Sequence, residues 1–154
     1  MKGVSDIDAG ALAGTATFQL GTLGAIATER FSTAIGAFGL KPKHAGVLQV
    51  LLLDPLISQQ ELAHKMGVAP SLMVGLLDFL ESAGAIERER DPADRRRQVI
   101  DVTDEGERLY VLCARAAASI EVELLAGLGE RAEGFRKLLA NVAEDFGLPT
   151  RDTR

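Results

Sequence analysis

The chain has 154 residues and carries 17 Lys+Arg against 22 Asp+Glu, a net charge of −5. That length suits one domain with a real core, and that charge argues against a protein that holds nucleic acid by bulk positive charge, so any basic function must be local. Six Phe, one Tyr and no Trp give few rings for stacking single-stranded bases, while one cysteine, Cys113, rules out an internal disulfide framework and fits a reducing compartment, the cytoplasm.

Residues 9–28 carry no charge. A membrane span is not the reading, because only Leu12, Phe18, Leu20, Leu23 and Ile26 are bulky and apolar, and Asp6 and Asp8 precede them where a signal peptide would be basic. The segment instead reads as a Gly-rich helix over about 9–38. Phe18, Leu23, Ile26, Phe31, Ile35 and Phe38 keep roughly one face, best buried against a second copy of the chain. Pro42 opens a second helix, 42–53, where its missing N–H is harmless, and Asp54-Pro55 ends it. Ser58 and Glu61 form a capping-box pattern before a short helix that ends at Gly67. Pro70 starts another helix, stopped by Gly84. Two short helices joined by residues 67–69 make a helix-turn-helix candidate.

After Gly84 the period changes. Residues 85–90 and 98–102 read as strands, and Asp91-Pro92-Ala93-Asp94 has a turn composition, giving a hairpin with its tip at about 91–97. Thr103 is a good N-cap, with Asp104 and Glu105 placed well for the dipole of a helix over 104–127. Gly127 and Gly129 interrupt it. A last helix covers 130–146, and residues 150–154 read as a frayed tail.

Helix-turn-helix, hairpin, then a Thr-capped helix is the order of a winged helix. On the segments ELAHKMGV (61–68), LLDFLESAGAIER (76–88), DPADRR (91–96) and VTDEG (102–106), the sequence resembles the MarR family of bacterial transcriptional regulators. The resemblance spans about residues 15–146. It implies a mainly α fold with a small β-wing: a single MarR-like domain over 1–154, whose winged helix-turn-helix core (about 42–103) lies between dimerisation helices (about 9–38 and 104–146). Leu12, Leu23, Leu124, Phe135, Leu139 and Phe146 are the expected dimer contacts.

The resemblance also gives the run Arg95-Arg96-Arg97 a purpose. A hairpin tip that reaches a narrow minor groove meets concentrated negative potential, which attracts arginine. The family pattern puts that role on Arg96, with Asp94 accepting from its guanidinium and holding its direction. Arg95 and Arg97 are then phosphate contacts. The bland alternative is a solvated tip with an incidental ion pair. The helix from Pro70 is the expected major-groove reader. Pro70 and Ser71 offer an N-terminus to phosphate. Its presumed groove face, Ser71, Leu72, Met73, Gly75 and Phe79, carries no arginine, the commonest reader of guanine. Leu72 or Met73 can touch thymine methyls or pack the core. Recognition that leans on the wing and on DNA shape is the expectation.

An effector pocket is implied between the dimer helices and the winged-helix core, with Phe18, His44 and Leu48 as candidate contacts for a small aromatic or phenolic effector; a satisfied histidine is the plainer reading of His44. His64 beside Lys65 reads as surface. Cys113 reads as core rather than redox sensor, since Arg115 is the only charge near it. Arg88 and Arg90 alternate with Glu87 and Glu89 as strand-face ion pairs, and Asp78 and Glu81 face solvent or pair with wing arginines. No metal-ligand spacing and no nucleophile–base constellation emerge, so neither a metal, a cofactor nor an enzyme is expected. The reading is a homodimeric, ligand-responsive, DNA-binding regulator, a repressor of a pseudo-palindromic operator on duplex DNA, with no membrane partner. The alternative is a winged-helix dimer that has lost DNA binding and serves as an interaction or ligand-binding module.

Overall fold

The computed structural model of the protein describes residues 10–55, 57–91, 93–94 and 98–148. It forms two compact units, residues 1–117 and 118–154, with one helix running from the first into the second.

In the first unit, α1 covers Ala16–Gly36, shorter at its start than the uncharged run suggests. Residues 10–14 are turn, and Thr15 sets the boundary because its Oγ1 accepts from the Phe18 N–H at 3.3 Å. Helix α2 covers Pro42–Leu53, with proline in its first turn as expected. Helix α3 covers Gln59–Lys65. The capping box is present in full: the Glu61 N–H donates to Ser58 Oγ at 3.3 Å and the Ser58 N–H donates to Glu61 Oε2 at 2.9 Å. Helix α4 covers Pro70–Ser82.

Helices α3 and α4 end alike. Gly67 (φ 60°) and Gly84 (φ 70°) adopt the left-handed conformation that a side chain disfavours. After α4, the Gly84 N–H donates to Glu81 O and the Ala85 N–H to Leu80 O, the paired bonds of a Schellman stop. The chain therefore leaves α4 sharply and enters the hairpin at once.

The strands β1 (Ile86–Arg90) and β2 (Gln98–Val102) pair antiparallel, with Ile86 opposite Val102 and Arg90 opposite Gln98. The sequence pattern did not anticipate a third contributor: Ser58 bridges to Val99, so the residue that caps α3 also ties the hairpin to the helix-turn-helix. Helix α5 runs Asp104–Leu125. Thr103 Oγ1 accepts from the Gly106 N–H at 3.1 Å and donates to Gly84 O at 2.6 Å, while the Thr103 N–H donates to Ala85 O. One residue thus caps α5 and staples it to the end of α4.

The core of this unit is contributed by all of these elements. Ile35, Leu48, Leu51, Leu62, Met73, Leu77, Leu80, Ile86 and Ile100 are all essentially inaccessible. Each such side chain contributes about 1.5–3 kcal/mol of burial free energy. Cys113 of α5 is buried with them, and its burial pushes the thiol pKa up, which disfavours the thiolate.

In the second unit, α5 ends and a 3₁₀ segment follows, Ala126–Arg131, with Gly129 at φ 53°. The predicted interruption at Gly127 and Gly129 is therefore present as short 3₁₀ turns broken by a kink at Gly129. Helix α6 covers Ala132–Asp145 and buries none of its residues. Arg136 of α6 ion-pairs with Glu121 of α5 and with Glu133 of its own first turn. The tail, residues 150–154, lies outside the described residues.

Candidate DNA interface

Helix α4 presents its outer face on the positions that the core leaves free. Met73, Leu76, Leu77 and Leu80 point inward, so helical spacing turns Ser71, Gly75 and Asp78 outward together. Pro70, Ser71, Leu72 and Gly75 are exposed, as a reading surface requires. Met73 is not available to DNA. It is fully buried, since its position repeats at Leu76, Leu77 and Leu80 on the apolar stripe. Nor does Phe79 belong to the groove face: its ring stacks on His44 of α2, with centroids 4.3 Å apart and planes 3° from parallel. A Cβ at Gly75 would meet nothing within 4 Å, so the middle of the outer face is open backbone.

The start of α4 differs from the start of α3. Ala69 at its N-cap supplies no side-chain acceptor, so no capping side chain covers the positive end of the helix dipole. Beside this helix stands the hairpin. Arg88 of β1 reaches α4, where Nη2 donates to Asp78 Oδ1 at 2.6 Å and Nη1 donates to Glu81 Oε2 at 2.5 Å. Asp78 and Glu81 thus pair with an arginine of the wing strand, and Arg88's partners lie on the helix rather than on its own strand. Toward the tip, Asp91 Oδ1 accepts from the Ala93 N–H at 2.8 Å, a turn held by its own side chain. Asp94 is exposed and engaged in a polar or electrostatic contact. Arg95, Arg96 and Arg97 lie outside the described residues.

The expected effector contacts differ in their settings. Leu48 is fully buried in the core. His44 is buried too: its Nδ1 accepts from the Lys41 N–H at 3.1 Å and its ring covers Phe79. Burial and then the Lys41 charge push its pKa down, which keeps the imidazole neutral. It is the satisfied histidine of the plainer reading. Phe18 is exposed on α1. None of the three lines an open groove on α1 and the start of α2. That groove, of about 640 Å³, is open and is walled by Gly24, Ala25, Thr28, Glu29 and Ser32 with Pro42. The signal for it in the sequence is the run of small and hydroxylic residues on one face of α1.

Leu12, Leu23, Leu124, Phe135, Leu139 and Phe146 are all exposed on the single chain, Phe146 at 80%. Among the described residues there is no cluster of three or more His, Cys, Asp or Glu side chains able to hold a metal, and no helix long and apolar enough to cross a membrane.

A helix-turn-helix whose second helix is exposed beside a two-stranded hairpin defines a winged helix-turn-helix protein. The MarR family model matches residues 47–97. The chain is 32% identical over 100 residues to transcriptional regulator HosA of Escherichia coli O111:H-, covering 64% of this chain and 73% of that one. Among solved structures it resembles CouR from Rhodococcus jostii RHA1 bound to p-coumaroyl-CoA, at 28% identity and a TM-score of 0.69, covering 86% of this chain and 94% of that one. It also resembles the transcriptional repressor CouR bound to a 23-mer DNA duplex, at 27% identity and a TM-score of 0.75, covering 90% of this chain and 99% of that one. The chain belongs to the MarR family of transcriptional regulators. These relatives are regulators and not enzymes.

Proposed function

We propose that the protein is a homodimeric, ligand-responsive repressor that binds a pseudo-palindromic operator. The observation that carries this reading is the exposed, uncapped start of α4 beside the hairpin, in a fold matching over 90% of its length a repressor held on a duplex. The backbone N–H and hydroxyl of Ser71, in the turn that Pro70 opens, are suited to a phosphate. Ser71, Leu72 and Gly75 face the major groove. The tip, through Arg96 steadied by Asp94 and flanked by Arg95 and Arg97, enters the adjacent minor groove. Because α4 offers no basic reader, specificity rests on the wing and on DNA shape.

The exposed apolar side chains Leu12, Leu23, Leu124, Phe135, Leu139 and Phe146 support a dimer, since side chains of this size gain about 25 cal/mol per Å² when covered. Two-fold symmetry then places half-sites about one helical turn apart. The α1–α2 groove suits a small effector, and a ligand-bound relative supports a role for one; an aromatic or phenolic compound is the proposed class. Such a ligand acts only by favouring a dimer whose reading helices are wrongly spaced for the operator.

The test is fluorescence anisotropy with duplexes taken from upstream of the protein's own coding region. Wild type and Arg96→Ala are compared at two salt concentrations. Tight binding that weakens steeply with salt and collapses in the variant is expected. A folded dimer that binds no upstream duplex would favour instead the module without DNA binding, a reading to which the arginine-free face of α4 lends weight.

A further inference from the structure

Asp78 and Glu81 lie one turn apart on α4, and a single guanidinium from the hairpin engages both. The Arg88 side chain is 18% exposed, against 58% and 41% for its partners. Its Nε–H is buried and finds no acceptor, a costly state for a donor. Arg88 is therefore poorly placed to reach phosphate, and both of its outer arms are already taken.

We infer that Arg88 is a positioning residue for DNA binding, whose fork locks α4 to the hairpin and fixes the angle between the reading helix and the wing. The inference rests on the proposed operator binding. A helix and a wing can occupy adjacent grooves together only if their relative direction is set beforehand. A planar guanidinium held at two points sets direction, which a single ammonium contact does not. Both carboxylates are solvated, which keeps the contribution of the pairs to stability modest, so the main consequence lies in geometry.

Charge alone predicts something different. Removing Arg88 subtracts a positive charge near DNA, and removing Asp78 with Glu81 subtracts two negative ones. Electrostatics therefore weakens binding in the first case and strengthens it in the second. A lock weakens binding in both.

The experiment measures anisotropy on the upstream duplex for wild type, Arg88→Gln and the double variant Asp78→Ala with Glu81→Ala. Each is also combined with Arg96→Ala, and all are assayed below their melting temperatures. Both lock variants should bind about tenfold more weakly. Arg96→Ala should cost more than about tenfold in wild type and less than about threefold in either lock variant, because a wing out of register has little left to lose. Tighter binding by the double variant would overturn the inference, as would an unchanged cost of Arg96→Ala in every background. If Arg88→Gln does not fold, the double variant keeps the arginine and decides alone. Wild type that binds no duplex sinks the functional reading and the role of Arg88 with it, whereas binding wild type with unaffected variants sinks only the role of Arg88.

Discussion

Replacing Gly106 by alanine should destabilise the protein, although alanine is the better helix former. Gly106 lies in the first turn of α5, where the helix start presses on the end of α4. A Cβ there would stand 2.0 Å from Ala85 O and 2.6 Å from Val102 Cγ1. The backbone of Ala85 cannot yield like the end of a flexible side chain, so the two segments must separate by at least about 1 Å. That separation strains two bonds across the junction: Thr103 N–H to Ala85 O (3.1 Å) and Thr103 Oγ1–H to Gly84 O (2.6 Å). Each is worth about 1 kcal/mol, against a propensity gain of up to about 1 kcal/mol. The net loss is about 2–4 kcal/mol once overpacking is included, roughly 5–15 °C in Tm for a chain of this size. Gly75→Ala is the internal control. Nothing stands within 4 Å of its Cβ, so the same substitution should stabilise by up to about 1 kcal/mol. Urea unfolding followed by circular dichroism at one protein concentration reads both. A Gly106→Ala protein as stable as wild type, or shifts of one sign for both variants, would refute the reasoning.

Met73→Ala should cost about 2–5 kcal/mol in the same assay, because Met73 is fully buried, whereas Leu72→Ala, 43% exposed in wild type, should change stability little and weaken operator binding. His44 should contribute a pH dependence. Its folded pKa lies below the ordinary 6.5, so the unfolded state binds the extra proton; the stability tied to neutral His44 is complete above about pH 6.5 and declines as pH falls toward the folded value. Unfolding free energies between pH 7.5 and 5.5 should fall less steeply for His44→Gln than for wild type, and equal slopes would count against this account. Cys113 is buried, with a raised pKa, so a thiol reagent should label it only on unfolding, and rapid stoichiometric labelling of native protein would contradict that burial.

The element order was legible in the sequence because its punctuation is local chemistry. Ser58 and Glu61 satisfy each other's backbone donors, Pro42 and Pro70 start helices, and Gly67 and Gly84 stop them at positive φ. The hairpin was legible because alternation has a period of two and Thr103 caps the helix after it. Faces were harder to read. Met73 and Leu72 are neighbours of like hydrophobicity, and which of them points inward depends on where α2 and the hairpin lie. His44 could be placed on α2 but not against Phe79, which is 35 residues away in the chain.

The sequence by itself therefore determined which segments are helices and strands, the stops of α3 and α4, and the family pattern they make, though not the bounds of α1, because caps, stops and periodicity act over a few residues. Tertiary structure alone decided that Arg88 bridges the hairpin to Asp78 and Glu81, that Ser58 pairs with Val99, and that Gly106 must lack a side chain. These contacts join positions distant in the chain, and their distances are set only when packed elements fix one another in space.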